Sequence, residues 1–104
     1  MKKCLIYGRC STFDQDTSNQ IAQLEEYAAK QDWKVVEVIK DTCSGGKSAK
    51  DREGLGRVFE LAHRKKFDVL LFWSLDRLSR EGARQTIAYL EQLDGCGVDW
   101  HSYT

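Results

Sequence analysis

The chain has 104 residues, enough for one domain and too few for a catalytic domain with an appended module, and about two thirds of its unfolded surface can be buried. With 41% hydrophobic, 31% charged and 11% aromatic residues and no proline, its composition excludes disorder and collagen-like repeats. The 16 basic residues balance 16 acidic ones, which removes the basic footprint of a stand-alone DNA binder, and no apolar run approaches a membrane span or a signal peptide.

Residues 4–7 are a short apolar run that predicts a first strand. A polar loop follows, then Ile21, Leu24, Tyr27 and Ala28 at helical spacing, with Thr17 and Gln20 as a capping-box pair at the helix start. Val35, Val36, Val38 and Ile39 predict a second, β-branched strand, and Gly45-Gly46 lies in the loop behind it. Leu55, Val58, Phe59 and Ala62 mark a second amphipathic helix starting near Asp51 or Arg52. The segment from Phe67 to Trp73, interrupted only by Asp68, is apolar on both faces, as a central parallel strand must be. Ile87, Leu90 and Leu93 predict a third helix ending near Gly95 and Gly97, and residues 98–101 begin a fourth strand. Tyr7 and Trp73 are expected in the core, residues 35–39 between apolar helix faces, and Trp33 and Trp100 against the sheet.

Alternation of strand and helix implies an α/β fold, a mostly parallel β-sheet covered by helices. In such sheets ligands sit beyond the carboxyl ends of the strands. Arg9 and Ser11 follow the first strand, the loop from Thr42 to Lys50 leads from the second to Arg52, and residues 74–80 follow the third. One serine and four arginines (Arg9, Arg52, Arg77, Arg80) therefore come to one edge. The chain stops in or just after the fourth strand with no closing helix, so residues 1–104 read as one domain of something longer.

Planar guanidinium groups that stay charged and donate paired hydrogen bonds suit a phosphate, although any single arginine there could equally be a solvated rim residue. From Arg52 to Arg84 eight basic residues face five acidic ones, a mild local bias of +3. Ser11 and Cys10 compete as nucleophile; strand alternation puts Tyr7, Arg9 and Ser11 on one side and Cys10 on the other. The two histidines, His63 and His101, fall at no strand's carboxyl end, which argues against a Ser-His-Asp triad. Charge stabilisation by arginine is the remaining route. Asp14, Asp41 and Asp76 each read as a cap or turn residue, so neither a metal nor a cofactor is expected. Gly45-Gly46-Lys47-Ser48 imitates the end of a P-loop, but Thr42 stands where that pattern needs glycine, so a flexible loop over the substrate is the better reading. Gln20 is accounted for by capping, and Asp76 by orienting Arg77 and Arg80. The four cysteines, Cys4, Cys10, Cys43 and Cys96, form no C-x-x-C pair, so free thiols are expected.

Taken in order, these residues resemble the catalytic domain of serine recombinases, the resolvase/invertase family. YGRCST looks like the family's Tyr-x-Arg-x-Ser signature, and DTSNQIAQL resembles its polar-then-helical stretch with a site glutamine. DREGLGRVFELAHRKKFDVLLFWSLDRLSR is similar to its arginine-led second helix, third strand and Asp-Arg-Leu-x-Arg motif. The resemblance covers about residues 3–98; Glu53 stands after Arg52 where members commonly have proline. It implies a flavodoxin- or Rossmann-like three-layer fold, truncated near the fourth strand, and a DNA enzyme. Ser11 would attack a DNA phosphodiester to form a 5′-phosphoseryl link and release a 3′-hydroxyl. Arg9, Arg77 and Arg80 would clamp the phosphate, Arg52 would reach in from its helix, and Gln20 and Asp76 would support them. It also implies DNA as partner, a homodimer and a tetramer in the full-length protein, no membrane, and a cytoplasmic setting in a bacterium, phage or mobile element. A small-molecule phosphoryl-transfer enzyme would use the same arginine edge, and a non-catalytic flavodoxin-like module the fold alone.

Overall fold

The computed structural model describes residues 2–11, 17–43, 53–73 and 83–103. Among these residues four strands and three helices alternate: β1 (Lys3–Ser11), α1 (Thr17–Lys30), β2 (Lys34–Cys43), α2 (Glu53–His63), β3 (Val69–Phe72), α3 (Ala83–Gly95) and β4 (Asp99–Ser102). The strands form one parallel sheet in the order β2-β1-β3-β4.

Period-two alternation in the central strands sorts the core into two layers. Leu5 and Tyr7 of β1 and Leu70 and Phe72 of β3 pack with Leu55, Val58 and Ala62 of α2 and Leu93 of α3. Cys4 and Ile6 of β1 and Val69 and Leu71 of β3 pack with Ile21, Leu24 and Ala28 of α1. Two helices thus cover one face and one the other, and β3 is buried at all four positions. Asp68, the one polar break in the third apolar segment, sits just before β3. Its carboxylate accepts a hydrogen bond from the Lys3 amide at 2.8 Å and its own amide donates to the Lys3 carbonyl at 2.8 Å, so it fixes where β1 and β3 begin their pairing.

Two sequence expectations need correction. Residues 35–39 do lie between helix faces, with Ile39 in the α2 layer and Val35 and Val38 against the α1 layer, but they are not buried throughout: β2 is an edge strand, Val36 is 41% exposed, and among these residues only Ile39 is fully buried. Among the described side chains of α3 the buried ones are Thr86 and Leu93, followed by Cys96 just past its end, with Tyr89 and Leu90 half-buried, so Ile87 points about 100° away from Thr86 and is exposed. Trp100 packs against the sheet as expected, stacking on Phe72 with ring centroids 6.2 Å apart, and stays 37% exposed because β4 is the other edge.

All three helices end in the same way. Among the described residues those at positive φ are Asp32, Lys65 and Gly97, each two residues past its helix. The following amides of Trp33, Lys66 and Val98 donate back to Ala28, Leu61 and Leu93, and the amides of Asp32, Lys65 and Gly97 to Ala29, Ala62 and Asp94. These are Schellman closures, and the left-handed residue strains any side chain other than glycine. Gly97→Ala is therefore expected to destabilise the domain by about 1 kcal/mol. A Cβ at position 97 would lie 3.6 Å from Lys65 Nζ, an ordinary contact, so the cost is backbone strain and not collision. Lys65→Gly should stabilise by about 0.5 kcal/mol, the relief of strain less the added unfolded-state freedom. Urea denaturation of the two variants checks both signs.

At the β2 edge, the Arg57 guanidinium grips the Glu37 carboxylate with two hydrogen bonds, Nε at 2.7 Å and Nη2 at 3.1 Å. The hydrogen bond from Arg57 holds the Glu37 carboxyl below the usual glutamate range, opposed by slight burial and helped by the Arg57 charge. Because the folded value is the lower one, whatever stability the pair contributes is present above the ordinary glutamate range and is lost as pH falls through the folded value. Titration of Glu37 followed by NMR should give a midpoint below that of a glutamate in an unfolded peptide, and Arg57→Ala should raise it.

Candidate functional site at the carboxyl edge of the sheet

β1 is longer than the apolar run that announced it. It pairs with β3 only from Cys4 to Tyr7, opposite Val69 to Phe72, but with β2 as far as Ser11 opposite Cys43. Residues 8–11 and 40–43 therefore run on as a two-stranded ribbon past the end of β3. Gly8 and Tyr7 are buried at its root, so the ribbon is anchored in the core. Arg9 and Ser11 occupy this overhang, at the end of an inner strand of the sheet.

In a parallel sheet each helix that follows a strand begins toward this same edge. α1 starts there, since it follows β1 and runs back along the sheet; Gln20, in its first turn, is half-buried. No acidic side chain occupies that turn, so the partial positive charge of its free amides is not offset from within the helix. α2 starts at Glu53, placing position 52 directly before it, and position 74 directly follows Trp73 after β3. Arg52, Asp76, Arg77 and Arg80 lie outside the described residues, as do Asp14 and the segment Gly45-Gly46-Lys47-Ser48. The structure thus places Arg9, Ser11 and Gln20 at one edge by backbone position. The strand-end rule points to Arg9 and Ser11 there, whereas Gln20 reads from the pattern as a cap and joins them only through the family resemblance.

Asp41 belongs to β2, in register with Arg9, and is not the cap or turn residue it was expected to be. Opposite charges at neighbouring register positions were legible only once the pairing was known. The thiol-bearing Cys43 is likewise the register partner of Ser11, and Cys10 pairs with Thr42.

His63 lies away from this edge as expected, but His101 is the penultimate residue of β4 and so falls near that strand's carboxyl end, against expectation, although well short of the overhang. His101 is in register with Leu71, which pairs with Ile6; Ser11 is five residues further along β1, about 16 Å at strand rise. Its Nε2 is 2.9 Å from the Tyr27 hydroxyl, and the two rings stack at 5.1 Å. His63 closes α2 at the opposite end of the sheet. Among the described residues no group of three histidine, cysteine or acidic side chains is placed to hold a metal ion, and no helix is long and apolar enough to cross a membrane.

Comparison with known proteins gives this edge a context. A family model described as "Resolvase, N terminal domain" matches residues 4–104. The chain is 34% identical over 103 residues to serine recombinase PinR of Escherichia coli (strain K12), covering 97% of this chain and 49% of that protein. It is 33% identical over 98 residues to the DNA-invertase of Escherichia phage P1, covering 94% and 47%. The chain therefore spans about half the length of the curated relatives it matches. Among solved structures, it superposes on the C-terminal catalytic domain of ISC1926 TnpA, an IS607-like serine recombinase, with a TM-score of 0.86 at 36% identity, covering 98% of this chain and 67% of that one. The N-terminal catalytic domain of TP901-1 integrase gives 0.81 at 33% identity, covering 98% and 77%.

Proposed function

Since the chain belongs to the resolvase N-terminal domain family, the catalytic domains of serine recombinases, we propose that it cuts and rejoins DNA for site-specific recombination, with Ser11 as nucleophile. The observation that carries this reading is the overhang: β1 takes Arg9 and Ser11 past the last β3 pair, to the edge where α1 begins and from which the segments holding Arg52, Asp76, Arg77 and Arg80 depart.

In the proposed reaction the Ser11 hydroxyl loses its proton and its oxygen attacks a backbone phosphorus. The O–P bond to serine forms, the bond to the 3′ oxygen breaks, and that oxygen leaves as a hydroxyl. Energy of the phosphodiester is kept in the 5′-phosphoseryl link, so a 3′-hydroxyl from an exchanged strand reverses the step. Arg9, Arg77 and Arg80 hold the non-bridging oxygens as negative charge builds, and Arg52 reaches in from the start of α2. Gln20 and Asp76 orient these groups. Rejoining exchanged strands requires two DNA sites and several subunits, so a dimer that pairs into a tetramer belongs to the proposal.

The test joins this chain to the remaining half of PinR and incubates the chimera with supercoiled DNA bearing PinR sites, quenching with denaturant. Protein covalently linked to DNA 5′ ends is expected. A chimera that folds and binds those sites, yet yields no linked DNA while PinR does, refutes the reading. The 104-residue chain alone should bind a labelled duplex weakly and without sequence preference at physiological salt, because a formal charge of zero supplies too few phosphate contacts.

A further inference from the structure

At the carboxyl edge, one residue past the end of β4, Tyr103 joins three elements that meet there. Its amide donates to the Phe72 carbonyl at 2.9 Å, so the pairing of β3 with β4 runs on past Ser102 and holds Tyr103 level with the end of β3. Alternation puts its ring in the same layer as His101, on the α1 side. There it stacks on Trp73, with ring centroids 4.9 Å apart and planes 19° from parallel, and meets Tyr27 of α1 edge-on at 5.6 Å. Its hydroxyl donates to the Gln23 side chain at 3.5 Å, a long hydrogen bond, so the ring carries more of the contact than the oxygen does.

Each partner leads to the site. Trp73 packs on the α1 core layer and is the residue from which the segment holding Asp76, Arg77 and Arg80 departs. Gln23 lies one turn past Gln20 on the same side of α1. Arg77 follows Trp73 by four residues, at most about 13 Å of chain. Over that length a tilt of about 10° at Trp73 displaces the arginine by as much as about 2 Å, more than a preorganised clamp tolerates without loss of rate. The other face of the same two strands supplies a comparison. Trp100 also stacks on a β3 ring, that of Phe72, but in the layer of α2 and α3 and away from α1.

We infer that Tyr103 is a positioning residue for DNA cleavage: by stacking on Trp73 and bracing it against α1, it fixes the direction in which the Arg77 segment leaves the sheet. Its role is exercised through the arginines and not on the phosphate itself. The inference rests on the reading of Ser11 as a DNA nucleophile, and the unsubstituted PinR chimera keeps the two apart. No linked DNA from that chimera would sink both; linked DNA from it leaves the variants below to decide on Tyr103 alone.

The rate at which the chimera becomes linked to supercoiled DNA bearing PinR sites is the readout, with site binding measured alongside. Tyr103→Leu should slow linkage by about tenfold with binding held, and Tyr103→Phe, which keeps the ring, should restore it. Trp100→Leu removes the matching stack from the opposite layer and should lower stability without changing the rate. On an Arg77→Lys background Tyr103→Leu should cost about threefold or less, because residues that act through one another are not additive. Circular dichroism confirms that each variant is folded; if Tyr103→Leu is not, Trp73→Phe, with a smaller ring to stack on, takes its place and must slow linkage with the same non-additivity. A Tyr103→Leu chimera that links DNA at full rate, equal slowing by Tyr103→Leu and Trp100→Leu, or an undiminished cost on the Arg77→Lys background would reduce Tyr103 to packing and overturn the inference.

Discussion

Ser11→Ala in the PinR chimera should abolish covalent attachment to DNA while leaving site binding nearly unchanged. The two readouts separate because they draw on different parts of the molecule. Affinity for DNA comes from phosphate and base contacts, whose number this electrically neutral domain does little to raise. The covalent bond comes from one oxygen. Removing that oxygen deletes a reactant and not merely a favourable contact, so the loss is expected to be complete within detection and not a graded one. Ser11→Cys should be a poor substitute: sulfur is larger, its bond to phosphorus is longer, and the arginine clamp would meet the phosphate out of place. DNA adducts that persist in Ser11→Ala would move the nucleophile to a neighbouring thiol. Cys10 is adjacent in β1, and Cys43 is opposite Ser11 in β2, so Cys10→Ala and Cys43→Ala on that background would tell which.

How much of this was legible beforehand varies with the kind of information involved. The apolar run around β3 was visible because a strand buried on both faces has no alternation to hide it, and Leu70 and Leu71 are indeed both fully buried, on opposite layers. The edge position of β2 was not visible. Val35, Val36, Val38 and Ile39 look as apolar as a central strand, and only the strand order β2-β1-β3-β4 leaves Val36 in solvent. Ile87 misled for a related reason. Its helix buries a stripe through Thr86 and Leu93, and a residue one position off that stripe faces outward whatever its hydropathy. At the site, Arg9 and Ser11 could be placed by the rule that ligands gather beyond strand ends. The length of β1 could not, because Gly8, Arg9, Cys10 and Ser11 carry no apolar period; those residues are strand only because β2 pairs with them. Asp41 was assigned to a turn on the same grounds. A carboxylate's own preference is for caps and turns, and the register that sets it beside Arg9 is long-range information.

The second large effect concerns the arginines. In the proposed mechanism negative charge on the pentacoordinate phosphate is met by guanidinium groups at positions 9, 52, 77 and 80, so cleavage by the chimera should continue in the presence of a chelator. Arg77→Lys tests the geometry of that assignment as well as its sign. Lysine keeps the positive charge but offers a single mobile ammonium where arginine offers a planar fork that spans two phosphate oxygens. If the fork matters in the transition state, the loss is that of one preorganised donor pair, about 3 kcal/mol or roughly a hundredfold in the cleavage rate, with site binding held. Arg9→Lys should behave similarly, with the added expectation that folding is unaffected, since position 9 lies on the overhang past the β3 pairing. A lysine variant that cleaves at full rate would reduce the arginine to a point charge; a reaction that stops with chelator and returns with magnesium would transfer the charge to a metal, and the mechanism proposed for this edge would have to be replaced.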